Sequence, residues 1–120
     1  MASEGAERGA GTIIVLHAET LGRGDDVLGA KLVGSYLRTL ATTDPKPDAV
    51  IFYNAAVRLL AHGSPHLDAL RALDESGVDL LACVTCLEYF ELIGGIAVGT
   101  VSNMREIVRR TMAAAKVITA

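Results

Sequence analysis

Both cysteines of the chain fall within one short stretch, Leu80-Leu81-Ala82-Cys83-Val84-Thr85-Cys86-Leu87-Glu88. A short apolar run ends in a Cys-x-x-Cys pair, Cys83 to Cys86, and a helix-like pattern follows at once. Thiols set where a strand hands over to a helix point to chemistry at sulfur. Thr85 and Glu88 match a capping box, which puts Cys86 at the first helical position and Cys83 at the strand end before the cap. Free amides and the helix dipole at that point are expected to lower the Cys86 pKa and favour its thiolate. A thiolate is the form that attacks a disulfide or accepts a sulfur atom. The competing use is plain: free cysteine is often a small apolar filler. Two cysteines this close cannot brace a fold, because the loop between them is tiny. A reducing cytoplasm is the expected location.

Other constellations are weaker. Two thiolates make half of a tetrahedral zinc site, and no second cysteine pair completes it. His17, His62 and His66 read as an ordinary strand residue and two surface residues near a turn. No metal and no cofactor is called for. Leu21-Gly22-Arg23-Gly24-Asp25-Asp26 begins like a dinucleotide fingerprint, but Val27 stands where the third glycine belongs. Asn54, and no acid, ends the second strand, so the nucleotide reading fails twice. Gly22, Arg23 and Gly24 either bind an anion through glycine amides and the guanidinium or form a turn that needs positive φ. Asn103 is most simply a helix cap, and Asn54 either orients the cysteine loop or tolerates a left-handed turn. No G-x-S-x-G elbow supports a Ser-His-Asp hydrolase.

These residues need elements to hold them. At 120 residues the chain suffices for one domain, expected over residues 12–120 behind a flexible tail at 1–11. Hydrophobic residues are 51% and aromatics 4%, so the core must be aliphatic. The formal charge of -3 and the lack of a basic stripe disfavour nucleic acid and anionic membrane as partners. No apolar run reaches membrane-spanning length, and the start lacks the layout of a secretion signal.

Continuous apolar runs predict strands buried on both faces at 12–18, 49–53 and 78–82, a shorter strand at 96–98 and an edge strand at 116–119. Val27, Leu28, Leu32, Val33, Tyr36, Leu37 and Leu40 recur at helical spacing after Asp25 and Asp26. Residues 57–61 form a short helix. Ser64-Pro65 starts another that runs to Ser76 and closes at Gly77, and the helix capped by Thr85 runs to about Leu92. Asn103 caps the last helix, whose inner face is expected to hold Met104, Ile107, Val108 and Met112. Alternating strands and helices imply an α/β/α sandwich on a mostly parallel sheet of about five strands. Ligands bind such sheets beyond the carboxyl ends of the strands, where loops 20–25, 54–56, 83–86 and 99–103 are expected to converge.

The spaced set Leu21-Gly22-Arg23-Gly24-Asp25-Asp26, Leu28-Gly29, Phe52-Tyr53-Asn54, Gly77-Val78, Cys83-Val84-Thr85-Cys86-Leu87, Val98-Gly99 and Asn103-Met104 resembles the DsrE-like domain of the YedF proteins. Those proteins are described as sulfurtransferase-like and linked to selenium metabolism. The resemblance runs from about Thr12 to the C-terminus. The wider DsrE/DsrF-like family implies a flavodoxin-like sandwich, frequent oligomers and, in some members, sulfur relayed as a cysteine persulfide. Cys83 matches the family's acceptor position and Cys86 the second cysteine. Val84 and Ala56 stand where the family commonly has glycine. YedF proteins usually carry a preceding TusA-like domain and this sequence does not, so the resemblance implies a separate sulfur donor, TusA-like or a cysteine desulfurase. The expected function is therefore a small sulfur-relay protein with Cys83 and Cys86 catalytic and Gly22, Arg23, Gly24, Asn54, Thr85 and Asn103 around its substrate. A non-catalytic, oligomeric binding subunit and a dithiol redox protein are the alternatives.

Overall fold

A strand with neighbours on both edges and helices on both faces has no place for a polar side chain. β2 (Ala49–Phe52) meets that demand, with all four residues fully buried. The structure, a computed structural model, describes residues 11–120, so the expected tail lies, apart from Gly11, outside the described residues. β2 pairs in parallel with β1 (Thr12–Leu16) on one side and β3 (Asp79–Cys83) on the other. β4 (Thr100–Ser102) adds beyond β3, and β5 (Lys116–Thr119) beyond β1. The sheet is thus all parallel, in the order β4-β3-β2-β1-β5. Its edges read differently: every residue of β5 is exposed.

Connection direction decides which face each helix covers. From β1 to β4 every step moves the same way across the sheet, and the last step jumps back over three strands to β5. Right-handed crossovers then put the early helices on one face and the last helix on the other. Side chains bear this out. Ile14, Leu16, Val50, Phe52, Leu80 and Ala82 pack with α1 (Asp26–Thr42), the 3-10 helix Asn54–Leu60, α2 (Leu67–Glu75) and α3 (Val84–Tyr89). The alternate strand residues, Ile13, Val15, Ala49, Ile51, Leu81 and Cys83, pack with Ile107 of α4 (Met104–Ala113).

The expected α/β/α sandwich is the observed fold, with some shifts inside it. β4 lies at 100–102, not at 96–98; Ile96 makes only a single bridge to Ala61. Gly99 therefore precedes its strand, at the end of the sheet away from the other loops. The turn at 54–56 and the helix at 57–61 are one 3-10 helix. α2 begins at Leu67, after the Ser64 hydroxyl has accepted the His66 N–H at 3.2 Å, so Ser64-Pro65 forms a turn ahead of the helix. α3 ends at Tyr89, earlier than expected: Leu92 N–H bonds back to Leu87 C=O while Glu91 takes φ 58.

Two apolar stripes face outward where the pattern predicts burial. On α1, Val33 and Leu37 point inward while Val27 and Leu28 are largely exposed. On α4, only Ile107 is buried; Met104, Val108 and Met112 are exposed. One buried isoleucine thus carries the helix on its face of the sheet. Ile107→Ala is expected to destabilise by about 2–5 kcal/mol, and Met112→Ala to stay within about 0.5 kcal/mol. Urea denaturation of the two variants checks the contrast.

Candidate functional site

Adjacent strands whose exits leave to opposite faces open a crevice at their carboxyl ends. Here those strands are β3, which feeds α3 on one face, and β4, which feeds α4 on the other. Cys83 is the last residue of β3 and caps α3 with its backbone. It is 1% exposed, and its side chain belongs to the α4 face. Cys86 lies one turn on, half-buried, and packs against both cores at the upper edge of the sheet. Both thiols are free.

The Cys86 sulfur accepts the backbone N–H of Asn54 at 3.0 Å. Asn54 follows β2 and takes φ 50, the left-handed region that asparagine tolerates better than most residues. The two readings of Asn54 therefore coincide: a left-handed turn is what aims this N–H. Cys86 opens onto a cleft of about 360 Å³ walled by Asn54, Thr85, Tyr89 and Phe90. The Tyr89 and Phe90 rings stand edge to face, 5.1 Å between centroids. Arg58 lays its guanidinium over the outer wall, 4.2 Å from the Phe90 ring centre, and Glu19 holds the same guanidinium at 3.2 Å. At the same end Tyr53 donates its hydroxyl to the Met104 sulfur at 3.8 Å.

The thiol's acidity departs from the sequence expectation. Burial pushes the Cys86 pKa up; the Asn54 N–H pulls it down, and the neighbouring Cys83 pushes it up further. The first effect prevails, so Cys86 is protonated at neutral pH. A reason lies in the helix start. α3 begins at Val84, so Cys86 is its third residue and not its first, and Thr85 makes no cap bond.

No family model matches the chain, and no curated protein does. Solved structures do. The ychN protein from E. coli aligns over 91% of this chain and 97% of its own, at 18% identity and a TM-score of 0.64. MTH1491, a protein of unknown function from Methanobacterium thermoautotrophicum, covers the same shares at 23% identity and a TM-score of 0.65. BT1422, a conserved protein of unknown function from Bacteroides thetaiotaomicron, covers 94% and 97% at 16% identity and a TM-score of 0.63. At such identities the likeness is one of fold. It extends over nearly the whole of each partner.

Of the residues singled out in the sequence, Cys86, Thr85 and Asn54 wall one cleft, with Cys83 buried beneath. The loop Gly22-Arg23-Gly24 does not join them; it is exposed, with positive φ at Gly22 and Gly24, as a turn requires. Asn103 is the cap of α4, its side chain accepting the Glu106 N–H at 2.8 Å. His17 and His62 are exposed, and His66 is half-buried against α1. Among the described residues no three His, Cys, Asp or Glu side chains gather as metal donors, and no helix is long and apolar enough to cross a membrane. The sequence reading passed over Glu19, Arg58, Tyr89 and Phe90. A signal existed for the rings: only five aromatics occur in the chain, and Tyr53, Tyr89 and Phe90 all stand at this end.

Alkylation of the native protein with iodoacetamide is expected at Cys86, with Cys83 protected. The thiolate reacts, so the rate rises with pH, and its inflection should sit above the ordinary cysteine value of 9.0. Cys83→Ala removes one of the influences that raise the value, and should move the inflection down. Mass spectrometry of the alkylated peptides over a pH series reads both.

Proposed function

We propose that this protein relays sulfane sulfur, or selenium in its place, as a persulfide on Cys86. The observation that carries the reading is a reachable thiol, walled by aromatic and amide groups at the carboxyl end of the sheet, with a backbone N–H on its sulfur and a second thiol close behind. The sequence resemblance to DsrE-like domains supports the same chemistry, with the roles of the two cysteines exchanged: Cys83 is too buried to meet a donor first.

In the loading step a donor persulfide R–S–SH meets the Cys86 thiol. The Cys86 proton leaves, its sulfur attacks the outer sulfur of the donor, and the S–S bond of the donor breaks. The products are Cys86–S–SH and R–SH, so sulfur moves with no outside oxidant. Unloading is the reverse transfer to an acceptor thiol, or attack by Cys83 on the inner sulfur, which leaves a Cys83–Cys86 disulfide and releases hydrogen sulfide. A thiol held protonated resists stray oxidation until a donor docks. The donor or acceptor is a TusA-like protein or a cysteine desulfurase in the cytoplasm, and the carrier works as a homo-oligomer.

The outward stripes of α1 and α4 favour a second reading, a binding or assembly subunit without chemistry. Replacing both cysteines with serine separates the two, because an assembly role survives the change.

Incubation with an inorganic polysulfide should add the mass of one sulfur atom to the peptide that contains Cys86. Cys83→Ser should keep the gain and Cys86→Ser should lose it. No gain on Cys86, where a known persulfide carrier is loaded in parallel, overturns the reading.

A further inference from the structure

A larger cavity, of about 510 Å³, lies on the other side of the 3-10 helix from the Cys86 cleft. It opens between the loop after β1, the start of α1 and the turn before α2, again at the carboxyl end of the sheet. Nothing in the thiol chemistry uses it. Its apolar lining is small, Ala18, Ala30, Ala55 and Leu59, of which Leu59 is buried. Its rim is charged: Glu19 and Asp26 bring carboxylates and Arg58 a guanidinium.

Two features show that these walls are built to approach one another. Thr20 and His66 both line the cavity, and each lies against a glycine of α1. A Cβ on Gly29 would stand 2.7 Å from the Thr20 Cβ, and one on Gly34 would stand 3.0 Å from His66 Cε1. Glycine inside a helix costs about 0.5–1 kcal/mol against alanine, and α1 carries both where the cavity walls need the room. The rim also keeps hydrogen-bonding capacity in reserve. Arg58 uses one nitrogen on Glu19, and its other donors have no protein partner among the described residues. The Asp26 carboxylate and the His66 ring are likewise unpartnered there.

Charge selects the ligand. An inorganic anion meets two carboxylates, and a simple amine leaves the guanidinium unanswered. A molecule carrying both signs answers both. Its apolar portion then rests on the alanine and leucine side chains of the lining. We infer that this cavity binds a free α-amino acid with a medium-sized aliphatic side chain, its carboxylate on Arg58 and its ammonium between Glu19 and Asp26. Burial and the Arg38 charge lower the His66 pKa, so the ring adds a neutral donor and acceptor rather than a further positive charge. The site is separate from Cys86 and its occupancy does not depend on sulfur transfer.

Isothermal titration calorimetry on the whole chain tests this with L-methionine, whose thioether cannot exchange with Cys86. Saturable one-to-one binding is expected. The amine left by removing its carboxylate, and the acid left by removing its amino group, should each bind about tenfold or more weakly. Arg58→Ala and Asp26→Asn should weaken L-methionine to a similar degree, with circular dichroism melts confirming that both are folded. Cys86→Ser should leave affinity unchanged. Absence of binding at millimolar ligand, equal affinity for either truncated analogue, or loss of binding in Cys86→Ser overturns the inference.

Discussion

Parallel pairing, with one reversal in strand order, is the constraint from which the functional end follows. Parallel strands bring all their carboxyl ends to one edge, and β1, β2 and β3 are held in register by consecutive pairs such as Ile14 with Val50 and Val50 with Leu80. Because β4 alone sends its chain to the opposite face, the switch point lies between β3 and β4, while the Cys86 cleft lies between Asn54, after β2, and the helix after β3. Cys83 then falls on one face and Cys86 above the seam between both cores. A strand order without that reversal would put every helix on one face and leave the face that holds Cys83 uncovered.

The electrostatics of Cys86 are a contest between two consequences of that position. Standing at the seam removes water from the sulfur and disfavours the charged form. Standing beside the end of β2 supplies the Asn54 N–H, which favours it. Burial is the larger, and the neighbouring thiol adds to it. The site is thus a protonated thiol with one preplaced donor, a different starting point from a permanently ionised cysteine at the first turn of a helix.

Much of this was legible in the sequence. Continuous apolar runs located the buried strands because a parallel strand has no polar face to interrupt them; Ile13 to Leu16 and Ala49 to Phe52 are the clearest cases. The cap at Asn103 was legible because its side chain does the capping; Asp25 was legible only as negative charge near the start of α1, where it is in fact the cap. Reading failed where backbone does the work. The α3 start is set by the φ and ψ of Cys83 with no side-chain bond, so the pattern Thr85-x-x-Glu88 misled by two residues. It failed again where periodicity marks a surface: Leu28 and Leu32, like Val108 and Met112, follow helical spacing and still face out. The short β4 gave a weaker signal than the apolar 96–98 stretch before it, since its Thr100 and Val101 are exposed at the sheet edge. Arg58 was invisible because its meaning comes from Glu19 and Phe90, residues far from it in the chain.

Arg58 also shows how little holds the partition between the two cavities. Its ion pair with Glu19 joins side chains about half exposed, an arrangement worth about 0.2–1 kcal/mol. Its contact with the Phe90 face adds about 0.5–1 kcal/mol at a site of this exposure. A single hydrogen bond to a charged group is worth about 1.5–3 kcal/mol, as much as both together. The strands beneath are fixed by fully buried side chains such as Phe52 and Leu60, each of which would cost several times more to disturb. The fold therefore places a rigid floor under the crevice and a weakly held cation on its wall. An anionic group that enters either cavity meets an exposed guanidinium that can turn toward it without disturbing the core.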